Sequence, residues 1–216
     1  MQSVVIVGAG GFGREVLEIF KDQNRVSRQW NILGFIDENT EIHGKAINGY
    51  PVLGGLDWIQ AHKEIDLSCV VTIGDSRTRK EMVEKLAETS VQFCNAIHPS
   101  VIMSDSVSLG KGVIICAGSI LTVNIVIGDH VHINTNTTIG HDAIIKDYCT
   151  VTATVKITGN TVLNEGVFMG TAAIMIPGVT IGSWTTIGAG AVVINDIPEK
   201  VVAVGMPAKA IKNISD

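Results

Sequence analysis

The chain has 216 residues, 46% of them hydrophobic and only 17% charged, with a formal net charge of −5. That length allows two modest domains, and the low charge share suits a sheet-rich core with a large subunit interface. The acidic balance argues against a nucleic-acid or anionic-membrane partner, either of which calls for a basic patch. No apolar run approaches the roughly 20 residues of a membrane span. Met1-Gln2-Ser3 leads directly into a strand, so no leader is expected and the location is expected to be cytoplasmic. Cys69, Cys94, Cys116 and Cys149 show neither a CxxC pair nor metal-type spacing and read as structural thiols.

Residues 1–96 alternate strands with helices. Val4-Val5-Ile6-Val7 is a buried strand, followed by Gly8-Ala9-Gly10-Gly11-Phe12-Gly13 and a helix from Arg14 to about Asp22. A second strand, Ile32 to Ile36, ends in Asp37-Glu38-Asn39. The segment from Tyr50 to Gly55 precedes a helix over Leu56 to Lys63. A strand from Cys69 to Ile73 precedes a helix from about Arg77 to Glu88, and a last strand runs from Val91 to Asn95. This order predicts a small parallel sheet with helices on both faces, a Rossmann-like α/β domain. The Gly8-x-Gly10-x-x-Gly13 loop follows a strand and opens a helix, with Asp37 24 residues beyond it. Three readings stay open: a nucleotide-type ligand, NAD, and a purely structural turn. NAD is disfavoured because fewer than 100 residues precede the next region and no hydride-transfer constellation is visible. The general physics is an anion at a helix N-terminus, with Asp37 accepting from a ribose or a base.

From Ile97 to Val193 an aliphatic residue recurs every six positions, seventeen times without an insertion. Four residues after each comes a small or β-branched residue, or a cysteine, from Val101 to Ile197. A period of six is neither helical nor simply alternating. Short strands stacked into a parallel β-helix satisfy it, with the large aliphatic filling the interior. Residues 97–216 thus form an all-β domain of five to six coils, closed by a C-terminal cap. Glycines directly after the large residue, as in Ile127-Gly128 and Ile139-Gly140, are expected where a turn needs an unusual backbone conformation.

The order GAGGFGRE, a short α/β domain, IHPS at the junction, IGHD within the repeat and VGMPAK near the end resembles the sialic-acid O-acetyltransferase and bacillosamine N-acetyltransferase family. These are hexapeptide-repeat acyltransferases. The resemblance implies a left-handed β-helix, although the general rule for parallel crossovers favours the right hand. It also implies a homotrimer with active sites between subunits, acetyl-CoA as the acyl donor and a nucleotide-linked 4-amino-4,6-dideoxy sugar as acceptor. By position it assigns Gly10, Gly11, Phe12, Asp37, Glu38 and Gly54 to the sugar nucleotide. Thr150, Gly159, Thr171 and Ala189 fall to acetyl-CoA, the last two being third places of hexads one whole coil apart. Lys209 is a candidate for the CoA phosphate. Two positions depart from the family: Thr150 stands where the bacillosamine enzymes carry a second histidine, and Phe12 where some members have histidine.

Acetyl transfer to an amine needs a base for the attacking nitrogen and stabilisation of the developing oxyanion. His141 is the expected base because an imidazole titrates near neutrality. It is the third residue of its hexad, between inward Ile139 and Ala143, and so belongs on the outer wall. By the resemblance Asp142 raises its basicity. His130, His132 and His141 do not show the spacing of the zinc-binding γ-class carbonic anhydrases, and no metal is expected. The competing readings are O-acetylation of a sialic-acid-type sugar and a non-catalytic sugar-nucleotide-binding protein; an intact Gly-His-Asp stands against the latter.

Overall fold

The computed structural model describes residues 1–215, which form two compact units, Met1–Pro99 and a second beginning at Ser100. The first is built on β1 (Gln2–Val7), α1 (Gly11–Val26), β2 (Trp30–Ile36), β3 (Ala46–Ile47), β4 (Tyr50–Gly54), α2 (Leu56–Ala61), β5 (Leu67–Val71), α3 (Ser76–Ala87) and β6 (Gln92–Phe93). The sheet order is β3-β4-β2-β1-β5-β6, with every pairing parallel except that of β3 with β4. Val4 to Val7 are almost completely buried because β1 lies at the centre. The chain leaves β1 toward β2 and later leaves β5 toward β6 in the opposite direction. Right-handed crossovers therefore put α1 and α3 on opposite faces.

Several boundaries differ from the sequence reading. α1 begins at Gly11 rather than Arg14, because Gly10 is its N-cap and the fingerprint's last three residues are its first turn. It continues to Val26 because its last polar turn is anchored on the start of β2. There Asn24 accepts from the Gln29 and Trp30 N–H groups and Gln23 accepts from the Trp30 indole. α2 ends at Ala61, β5 spans Leu67–Val71, and only Gln92–Phe93 of the final segment pairs with it.

The second unit is a left-handed parallel β-helix. Each hexad supplies one two-residue strand, which pairs with the strand 18 residues on, as Leu121 with Ile139 and Ile139 with Ile157. Three flat faces result. From Ile115 to Val193 every large aliphatic of the repeat is at most 2% exposed. The companion column is buried too, and its polar members keep partners: Ser119, Thr137 and the Cys149 thiol each donate to a carbonyl fifteen residues on, as buried polar groups must. Cys149 is thus a structural thiol. Val201–Val204 extends one face and pairs antiparallel with Lys209–Asn213, a hairpin that contains Gly205 to Ala208.

The corners correct one expectation. Left-handed φ falls three residues after the large aliphatic, not one, at fourteen successive corners from Gly112 to Gly190, including Asn124 (57°), Asp142 (58°) and Asn160 (56°). Asparagine and aspartate tolerate that conformation better than most residues. Gly128 and Gly140 have ordinary φ and a different reason to be glycine. A Cβ on Gly128 would lie 2.2 Å from Asp147 Oδ1, and one on Gly140 would lie 2.7 Å from the Gly159 nitrogen. The coils stack too closely there for any side chain.

Candidate active site

The first unit forms a pocket at the carboxyl ends of β1, β2 and β5, of about 300 Å³ and lined by Val7, Gly8, Ile36, Asp37, Glu38, Ile73, Thr78 and Met82. This is the point where the strand order reverses around β1, the usual ligand crevice of such sheets. Its glycines divide into two kinds. Gly8 has φ +104°, and a Cβ on Gly13 would sit 2.0 Å from the Gly8 carbonyl oxygen. Both are glycine so that α1 can close on β1. Gly10 has open space around it and Gly11 has only the Arg14 side chain at 3.8 Å. The first turn of α1 contains no acidic residue and Gly10 makes no side-chain cap. The N-terminus of a sixteen-residue helix with no acidic residue in its first turn is suited to a phosphate.

Asp37 does more than wait for a ligand. Its two carboxylate oxygens accept from the Ala9 and Asn39 N–H groups at 2.8 and 3.0 Å, so it fixes the glycine loop to the end of β2. Glu38 accepts from the Leu56 N–H at the start of α2. Gly54 is buried with φ +155°, its carbonyl accepting from the Asp37 N–H. Phe12 lies half-buried in the first turn of α1. Sequence reading missed Thr78 and Met82 of α3. Their helix is capped by Asp75, whose carboxyl is held below its usual range chiefly by the Thr78 N–H.

The two kinds of glycine predict opposite failures. Gly13→Ala should destabilise the protein by about 1–3 kcal/mol through overpacking against backbone, read as a lower thermal midpoint. Gly10→Ala and Gly11→Ala should leave that midpoint unchanged and weaken nucleotide binding, read by calorimetric titration. Unchanged affinity in both would remove the phosphate reading of the loop.

In the β-helix, His141 lies at the corner between strands Thr138–Ile139 and Ile144–Ile145, with its side chain 56% exposed. Its Nδ1 is 2.8 Å from Asp142 Oδ2. A carboxylate oxygen only accepts, so Nδ1 carries the hydrogen and Nε2 of the neutral ring has a free lone pair. The other Asp142 oxygen accepts from Asn124 Nδ2 at 3.2 Å, and Asn124 sits one coil earlier on the same corner. Hydrogen bonds from His141 first, then from Asn124, hold the Asp142 carboxyl below the usual carboxylate range. Sequence reading missed Asn124; its signal was the 18-residue offset from Asp142.

Gly159, one coil after His141, explains itself. A Cβ there would lie 2.5 Å from both Nε2 and Cε1 of the imidazole, so the bare glycine is the floor on which the ring lies. Thr171 and Ala189 are exposed and stacked on another corner, between strands of the Phe168–Met169 and Ile174–Met175 faces. Thr150 is 4% exposed on a flat face, in register between His132 and Phe168. The structure therefore brings Gly159 to His141 and places Thr171 and Ala189 together elsewhere. His130 and His132 are buried, the His130 ring stacked on Tyr148 at 5.6 Å, unlike exposed His141.

Comparison with known proteins decides the family. Residues 3–86 match the PglD N-terminal domain family. The crystal structure of the H141N mutant of perosamine N-acetyltransferase from Caulobacter crescentus, in complex with CoA and GDP-perosamine, superposes with TM-score 0.91 at 34% identity, covering 99% of this chain and 98% of that one. The chain belongs to the nucleotide-sugar acetyltransferase family of hexapeptide-repeat proteins. Two further members of similar length agree. The acetyltransferase domain of PglB from Neisseria gonorrhoeae FA1090 has TM-score 0.89 and 30% identity over 98% of this chain and 100% of that one. GDP-perosamine N-acetyltransferase of Escherichia coli O157:H7 is 29% identical over 96% of this chain and 95% of that protein. This family member is accordingly an acetyltransferase. No helix among the described residues is long and apolar enough to cross a membrane.

Proposed function

We propose that the protein transfers the acetyl group of acetyl-CoA to the 4-amino group of a nucleotide-linked 4-amino-4,6-dideoxy sugar, with His141 as general base. The observation that carries this is the His141–Asp142 pair, which leaves Nε2 as a proton acceptor on the outer wall of an acetyltransferase fold. The amine nitrogen attacks the thioester carbonyl, its proton passes to Nε2, the carbon–sulfur bond breaks, and the proton goes on to the departing sulfur. Asp142 stabilises the imidazolium in between. The Caulobacter relative, studied with GDP-perosamine and CoA, was also substituted at a histidine numbered 141.

The sugar nucleotide is assigned to the pocket of the first unit. Its diphosphate meets the helix N-terminus at Gly10 and Gly11, where no side chain crowds the backbone, Phe12 flanks it, and the Asp37-Glu38 edge, backed by Gly54, meets the base or ribose. Full-length similarity to two GDP-perosamine enzymes supports GDP as the nucleotide. Acetyl-CoA is assigned to Thr150, Gly159, Thr171 and Ala189; at exposed Thr171 and Ala189 the small side chains leave room for pantetheine. Because His141 and the Thr171–Ala189 stack occupy different corners of one chain, a donor lying along that stack suits the His141 of a neighbouring copy. Exposed Ile120, Val123, Val126 and Ile144 surround the His141 corner, and such an apolar patch marks an interface. Both features support a homotrimer with active sites between subunits, and a cytoplasmic location goes with the use of acetyl-CoA and a nucleotide sugar.

The test is thiol release from acetyl-CoA against UDP-, dTDP- and GDP-linked 4-amino-4,6-dideoxy sugars, with free sialic acid included. Turnover with the GDP sugar is expected. Turnover with sialic acid alone would move the assignment to O-acetylation, and silence throughout would leave a binding protein without catalysis.

A further inference from the structure

The geometry points to Asn124 as a positioning residue for the His141–Asp142 pair, acting through Asp142 rather than on substrate; this rests on the acetyltransferase reading above. Ser106, Asn124 and Asp142 occupy the same corner in three successive coils, 18 residues apart. Asn124 is tied to the coil before it, since its N–H donates to the Ser106 hydroxyl at 2.9 Å. It is tied to the coil after it through Nδ2, which donates to Asp142 Oδ1 at 3.2 Å, while Asp142 Oδ2 accepts from His141 Nδ1 at 2.8 Å. The backbone strengthens the same link, because the Asp142 N–H donates to the Val123 carbonyl.

The physical need is clear from exposure. The Asp142 side chain is 46% exposed, and its hydrogen-bonded side-chain partners are His141 and Asn124. An exposed carboxylate rotates among several positions, most of which do not face Nδ1. A donor fixed one rung away holds one oxygen and so aims the other. The amide orientation follows from the same contact, because an amide oxygen against a carboxylate would repel it. Asparagine also suits the position on backbone grounds, with φ at 57°.

That backbone conformation supplies a clean test. Glycine accepts positive φ without strain, so Asn124→Gly and Asp142→Gly delete side chains and leave the corner intact. Asn124→Gly should lower kcat about tenfold, the loss of one hydrogen bond to a charged group, with KM for acetyl-CoA and the thermal midpoint unchanged. Asn124→Asp keeps the shape, removes the donor and adds a like charge, and should lower kcat at least as far. In an Asp142→Gly background Asn124→Gly should have no further effect, since residues acting through one another are not additive. Wild-type turnover in the same assay checks the acetyltransferase reading separately. Equal losses in both backgrounds, or full activity in Asn124→Asp, would overturn the assignment.

Discussion

Replacing His141 with alanine should lower kcat by about 10²–10⁴-fold, the range of a general base, while the protein stays folded. The imidazole is more than half exposed and contributes little to the interior. The coil beneath it is held by Ile139, Ala143 and Ile145, all at 0–1% exposure. KM for acetyl-CoA should change little, because the ring is used mainly as the amine loses its proton. Steady-state thiol release with melting curves on both proteins checks this. A variant retaining more than about a tenth of wild-type kcat would assign the base elsewhere.

Gly159→Ala should cost about 10²-fold in kcat by a different route. The added Cβ would lie 2.5 Å from His141 Nε2 and Cε1 and 2.9 Å from Cδ2, so the ring must leave its seat. A displacement of about 1 Å of a catalytic group is enough for a loss of that size. The Gly159 backbone lies outside the left-handed region, so alanine adds no strain of its own. The cofactor assignment of Gly159 makes a contrasting forecast: if the glycine mainly leaves room for pantetheine, KM for acetyl-CoA rises and kcat holds. Combining the change with His141→Ala separates the two. When the ring is absent, the displacement effect vanishes and any remaining rise in KM belongs to the cofactor.

The β-helix was legible because its core is one-dimensional: a single column of large aliphatics repeating every six residues suffices to place every strand from Ile115 to Val193. His141 was legible for a related reason, since its hexad place lies between inward Ile139 and inward Ala143 and so faces out. Its neighbours were less so. Asn124 and Gly159 lie 18 residues before Asp142 and 18 after His141, adjacent only once the coil is wound, and no local pattern marks them. The corner conformation was also misplaced by two residues, because Gly128 and Gly140 look like turn glycines yet are bare for close stacking. In the first unit the fingerprint announced the helix and the crevice. It did not show that Asp37 is already bonded to Ala9 and Asn39, nor that α3 completes the wall with Thr78 and Met82. Those contacts come from strand order, which sequence alternation implies only in outline.

The product itself tests the central claim most directly. The protein should be incubated with acetyl-CoA and a GDP-linked 4-amino-4,6-dideoxy sugar, and the isolated product assigned by mass spectrometry and proton–nitrogen correlation NMR. An acetyl group on the 4-nitrogen, formed by the native protein and not by His141→Ala, is the predicted result. An acetyl group on a sugar hydroxyl, or an unmodified sugar beside intact acetyl-CoA, would contradict it.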